Sequence, residues 1–163
     1  MESAVTRACL GFTAGAIAVL TFHQGLAQVF DLMGIGRMWA FRIAPTWPFG
    51  IPALVSLCFW GGAYGAVFAL MMPRFRRPLW QLGMILGMLT GLVALFVVVP
   101  LKGNPVAHGW MAWPIMRTML LNGFWGLGLG LILPILRPRP LTRPAPAMQV
   151  ISARAISARA ISA

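Results

Sequence analysis

The chain holds 163 residues, of which 60% are hydrophobic and only 9% charged, and its mean hydropathy is +0.83. Soluble domains carry about a quarter charged residues, so these charges cannot cover a globular surface and a water-soluble enzyme is excluded. The net charge of +11 does not read as nucleic-acid binding, because the basic residues are scattered between apolar blocks without a basic groove interleaved with aromatics.

A helical membrane span needs about 20 mostly apolar residues, each rising 1.5 Å, to cross about 30 Å of hydrocarbon. Four stretches meet that length: about Ala8 to Phe30, Ile51 to Met72, Leu79 to Leu101 and Pro114 to Leu136, none containing an acid. The expected fold is therefore all-α, a four-transmembrane-helix bundle over residues 1–137. Gly25-Leu26-Ala27 in the first stretch has the small-x-small pattern of a signal-peptidase site. However, Glu2 offsets Arg7 ahead of it and the apolar run is long for a signal peptide, so it reads as a retained span. Pro52 and Pro114 suit first helical turns, and Pro73, Pro100 and Pro134 mark helix ends. Arg117, in the first turn of the fourth span, can extend its head to the lipid headgroups.

Basic residues near the span ends set the orientation. One side holds nine: Arg7, Arg74, Arg76, Arg77, Arg137, Arg139, Arg143, Arg154 and Arg159. The other holds four: Arg37, Arg42, Lys102 and Arg117. The richer side is expected to be the cytoplasm, with both termini there and the chain in a bacterial inner membrane. Trp39, Trp47, Trp110 and Trp113 then anchor the outer interface, and Trp80 the inner one. Beyond residue 137 the chain turns Pro/Arg-rich and ends in Ile-Ser-Ala-Arg-Ala pentads. Residues 138–163 read as a flexible tail whose arginines can gain about 1 kcal/mol each near anionic lipid.

The spans repeat. Phe59-Trp60-Gly61 with Gly65 and Phe124-Trp125-Gly126 with Gly130 both read FWGxxxG, and each then runs into a Pro/Arg-rich segment. Trp47-Pro48 and Trp113-Pro114 stand upstream at nearly equal distances, and Gly11, Gly15 and Ala18 match Gly87, Gly91 and Ala94. The chain thus reads as one helical hairpin duplicated, its copies related by an axis along the membrane normal. Small residues four apart let helix backbones approach closely where lipid offers no hydrophobic gain. Gly11/Gly15, Gly61/Gly65, Gly87/Gly91 and Gly126/Gly130 supply one such face per span, for bundle packing or for docking a second copy or a larger membrane complex.

In this topology His23, Gln24, Ser56, Arg117, Thr118 and Asn122 share one level in the outer half, some 10 Å down, with Cys58 beside them and Asp31 near the mouth. They form a candidate polar layer opening outward, with His23 its titratable group and Arg117 a contact for an anion or headgroup. On a regular helix His23 lies about 100° from the Gly11/Gly15 face and Gln24 turns further away, which favours mutual hydrogen bonding over a shared cavity. His23 and His108 could flank a haem only if both lay on facing helices, and His108 falls in a loop. Two histidines make no metal site, so no metal and no cofactor is expected. Cys9 and Cys58, some 20 Å apart by helix rise, cannot form a disulfide within one chain.

Drug exporters of the four-helix type need a membrane-embedded carboxylate, and glutathione-dependent four-helix membrane enzymes a charged Glu/Arg/Asn motif; both are absent here. Through LTFHQG, SLCFWGGAYG, VVVPLKGNPVAHGW and LLNGFWGLG the chain resembles small four-span inner-membrane proteins of Gram-negative bacteria with no assigned function. That resemblance implies no activity and no functional residue. The expected function is a non-enzymatic accessory or interaction subunit, and the alternative is a small transporter or channel whose substrate enters the outer polar layer. A lipid- or quinone-handling enzyme lacks a nucleophile, a metal and an acid–base pair.

Overall fold

The computed structural model describes residues 3–35, 39–46, 48–74 and 76–137; the tail with its pentads, Arg37 and Trp47 lie outside the described residues. Among the described residues four helices are long and apolar enough to cross a membrane: α1 (Ala4–Leu32), α2 (Ala53–Arg74), α3 (Leu79–Leu101) and α4 (Ala112–Leu136). Helix α1 begins earlier than the apolar run because Ser3 caps it, its hydroxyl accepting the Thr6 N–H at 3.0 Å and satisfying a donor that has no partner inside the helix.

Helix α2 begins later, and Pro52 lies before its first turn rather than in it. Two short antiparallel strands, β1 (Pro45–Thr46) and β2 (Ile51–Pro52), pair just ahead of the helix. Pro52 takes ψ 135°, which is extended backbone. Gly50, at φ +67°, closes the turn, and the Thr46 hydroxyl donates to the Ile51 carbonyl at 2.7 Å. The carbonyls of Ala44 and Arg42 then accept the N–H groups of Ala53 and Leu54, each at 3.0 Å. The loop itself caps the helix.

Helices α1 and α3 each contain one five-residue π-helical turn, Val19–His23 and Ala94–Val98. In α3 the wide turn precedes Pro100, which has no N–H to offer the Phe96 carbonyl. In α1 the Thr21 hydroxyl donates back to the Ile17 carbonyl at 2.8 Å, an arrangement that bends helices.

Helix α1 packs antiparallel on α2, and α3 on α4; the two hairpins meet mainly along α1 and α4. The core lies there, in Ala14, Ala18, Val19, Trp125, Leu129 and Leu133, with Phe68, Ala69 and Met72 added from α2 and the turn that ends it. Backbone proximity does most of the holding. A methyl group on Gly11 would overlap the Gly65 carbonyl, one on Gly15 the Gly61 carbonyl, and one on Gly65 the Gly11 carbonyl; on Gly61 it would strike the Val19 side chain. In the second hairpin Gly126 meets the Gly83 carbonyl, Gly130 the Leu79 carbonyl and Gly87 the Asn122 carbonyl.

The expected α3 face of Gly87 and Gly91 is thus displaced. Gly91 lies nearest the flexible Met119 side chain, with Asn122 Cβ and the Met119 backbone further off, while Gly83, absent from the sequence reading, takes the tight backbone contact. Gly15 stands opposite Gly61, but Gly126 stands opposite Gly83 where a matched hairpin would place Gly91. The register of α3 against α4 is therefore slid by about two helical turns relative to that of α1 against α2. Side chains of the second hairpin bond to the first at two places: Trp125 Nε1 donates to the Gly15 carbonyl at 3.0 Å, and Arg137 Nη1 to the Met72 sulfur at 3.6 Å. Trp125 is 3% exposed, whereas Trp60, its counterpart in the other FWGxxxG, is 58% exposed.

Candidate functional site

At the end of the bundle that carries residues 39–46 and 102–111, α1, α2 and α4 border an open cavity of about 640 Å³. Helix α1 contributes His23, Gln24 and Ala27, α2 contributes Ala53 and Leu57, and α4 contributes Arg117, Thr118, Leu121 and Asn122; Trp39 and Arg42 come from the connection above. The cavity therefore gathers five of the six polar-layer residues. Ser56 is not among its lining; its neighbours Ala53 and Leu57 take that wall instead.

The π turn explains why His23 and Gln24 share this cavity. A wide turn takes up nearly one extra residue, which rotates the rest of the helix by roughly a quarter-turn relative to a regular α-helix. Gln24, which regular geometry turns away from the glycine face, swings inward and is 4% exposed. Its Oε1 accepts the Phe41 N–H at 2.7 Å, and its Nε2 lies 3.2 Å from His23 Nδ1. The first bond fixes Phe41, a non-glycine residue at φ +53°, a left-handed conformation that a side chain disfavours. With the Arg42 carbonyl bound to the Leu54 N–H, the backbone around Arg42 is pinned on both sides. A loop arginine thereby becomes a fixed part of the wall.

On the α4 side, Asn122 Nδ2 donates to the Thr118 carbonyl at 2.9 Å, and the Thr118 hydroxyl to the Pro114 carbonyl at 2.9 Å. The Thr90 hydroxyl, buried in α3, lies 2.9 Å from the Gly87 carbonyl and 3.3 Å from Asn122 Oδ1. Asn122 thus joins the cavity wall to α3.

A second cavity of about 520 Å³ lies beside the first, lined by Arg42, Ala44, Pro45, Thr46, Ala53, Leu101 and Lys102. Arg42 and Ala53 belong to both. Asp31, the one acid among the described residues, lines neither cavity. Arg117 is half-buried, Arg42 and Lys102 are exposed, and among the described residues no carboxylate lines the cavities beside them. The site is a set of cations and hydrogen-bond donors with a positive potential and apolar flanks, which is the chemistry of anion binding.

Sequence reasoning counted Arg42 only toward orientation and Trp39 only as an anchor, because no local pattern tells where a loop folds back. Thr90 was missed for a similar reason: a lone threonine in an apolar span carries no signal of its partner on another helix. Asp31 is exposed at the end of α1 and does not line the cavity. His108 sits at φ +52° within a left-handed turn over Ala107–Trp110, and it lines neither cavity. Among the described residues no three His, Cys, Asp or Glu side chains gather as metal ligands. Cys9 and Cys58 are free thiols.

No protein-family model, curated protein or solved structure matches the chain.

Proposed function

We propose that the protein is a small binding or transport protein of the bacterial inner membrane, rather than an accessory subunit, and that it takes an anionic group into the cavity beneath Arg42. Arg42 and Arg117 line that one cavity, and among the described residues no carboxylate lines it with them; this observation carries the reading. Each hydrogen bond to a charged group contributes about 1.5–3 kcal/mol, and a ligand supplies the counter-charge that the sequence lacks. Gln24 and Asn122 hold the walls through their own bonds, so the cavity exists before the ligand arrives. No nucleophile–base pair lines it, which favours binding over catalysis.

The excess of arginines on the opposite side of the membrane places both termini in the cytoplasm and opens the cavity to the outside. A duplicated hairpin underlies the fold in this reading. The paired FWGxxxG segments support it, as do the π turns in the first span of each hairpin; the slid register is then a divergence after duplication.

Thermal unfolding of the purified protein in neutral detergent tests the proposal. Phosphate- or carboxylate-bearing ligands should raise the midpoint, and Arg117→Gln should remove the effect. Equal stabilisation by uncharged analogues, or full stabilisation of Arg117→Gln, would refute it.

A further inference from the structure

Two cavities meet at Arg42, and together they present three cations from three separate parts of the chain. Arg117 reaches the larger cavity from α4, Lys102 the smaller one from just beyond α3, and Arg42 belongs to both. A single monovalent anion would fill a small part of this space and leave two of the three cations without a counter-charge. Cavities of about 640 and 520 Å³ each fall within the size range of sites that hold small organic ligands. We infer that the site takes a diphosphate, one phosphoryl group between Arg117 and Arg42 and the other between Arg42 and Lys102. This inference rests on the anion-binding reading above and assigns its ligand class.

Phosphate suits this arrangement better than carboxylate. A terminal phosphoryl group has three acceptor oxygens and can receive two guanidinium groups at once, whereas Lys102 provides a point charge for the second group. A diphosphate also keeps its two anionic groups adjacent, as a shared Arg42 requires. Leu57 and Leu121 on one side and Leu101 on the other flank the cations with apolar surface. That surface admits either a free diphosphate or the headgroup of a diphosphate-bearing lipid.

Binding to the full-length protein in neutral detergent separates these outcomes, with inorganic phosphate, pyrophosphate, geranylgeranyl monophosphate and geranylgeranyl diphosphate as probes. The diphosphate member of a pair should bind about tenfold more tightly than its monophosphate, equivalent to about 1.4 kcal/mol. Lys102→Gln should abolish most of that preference without weakening monophosphate binding, Lys102→Arg should restore it, and Arg117→Gln should weaken every probe. A Lys102-dependent preference for pyrophosphate identifies a free diphosphate; the same preference seen only with the geranylgeranyl pair identifies a lipid headgroup. If Lys102→Gln keeps the full preference while Arg117→Gln still weakens binding, the diphosphate assignment fails and the anion cavity stands. If no probe binds the unaltered protein, both fall.

Discussion

Trp125 and Trp60 occupy matching places in two identical motifs, yet one closes the seam between hairpins and the other is exposed. The difference lies in the acceptor: Trp125 reaches a helix carbonyl across the seam, that of Gly15, which also accepts the Val19 N–H. Gly15 can present it because no side chain separates the two backbones. Trp125→Phe removes the donor and should cost about 1 kcal/mol of helix association, whereas Trp60→Phe should be neutral. Unfolding midpoints of the two variants in the same detergent measure this directly, and equal losses would remove the seam bond from the account. Glycines divide in the same way. Gly15→Ala drives a methyl into the Gly61 carbonyl, while Gly25 has open space on every side. Gly15→Ala should therefore lose about 1–3 kcal/mol by overpacking, and Gly25→Ala should lose nothing and gain helix propensity. The small-residue pattern in the sequence picks out Gly15, but it equally picks out Gly91, whose neighbour is a yielding methionine. Spacing reports which faces are flat; only the mate on the opposite helix tells which of them is crowded.

At the scale of the element, the four spans are legible in the sequence because lipid demands about 20 apolar residues from each, and no tertiary contact can waive that demand. The π turns are not legible. Val19–His23 has no composition that distinguishes it from regular helix, yet it turns His23 and Gln24 into one cavity. Gln24 is where this matters, because its side chain holds the Phe41 backbone and, through the adjoining residue, Arg42. Gln24→Leu should leave α1 apolar and helical but release the loop. Protease or hydrogen-exchange protection over residues 39–44 should then fall, and anion binding should weaken with it. Protection unchanged in Gln24→Leu would mean that the bonds from Ala53 and Leu54 hold the loop unaided. The proposed orientation is testable on the same elements. In a chain with Cys9 and Cys58 replaced by alanine, Asn104→Cys should react with a membrane-impermeant maleimide from outside intact cells, and Arg77→Cys should not. The reverse pattern would turn the cavity toward the cytoplasm.

Across the whole molecule, the two hairpins are each sealed by backbone contact and joined by a seam of larger side chains. Phe22 fits against Gly128 and Phe124, Phe30 tilts against Trp113, and Trp125 donates to Gly15. A seam of this kind behaves as an interface between two preformed halves, in keeping with the view that membrane helices form first and associate second. The chain crosses between halves only through the short segment between α2 and α3, whose arginines need nothing from the core. Cutting the gene between Arg76 and Arg77 and expressing both pieces together should therefore yield a complex that co-purifies, because each hairpin keeps its own glycine contacts. Trp125→Phe in the second piece should reduce recovery of the first, and Gly128→Val should abolish it by displacing Phe22 from the seam. Both variant pieces should still insert and accumulate. Loss of insertion would show instead that the hairpins depend on each other to fold, and recovery unaffected by Gly128→Val would mean that the halves are held by contacts other than those of α1 and α4. The anion cavity sharpens the outcome, since His23, Gln24 and Arg42 lie on one piece and Arg117, Thr118, Asn122 and Lys102 on the other. Only the reassembled pair should respond to an anionic ligand.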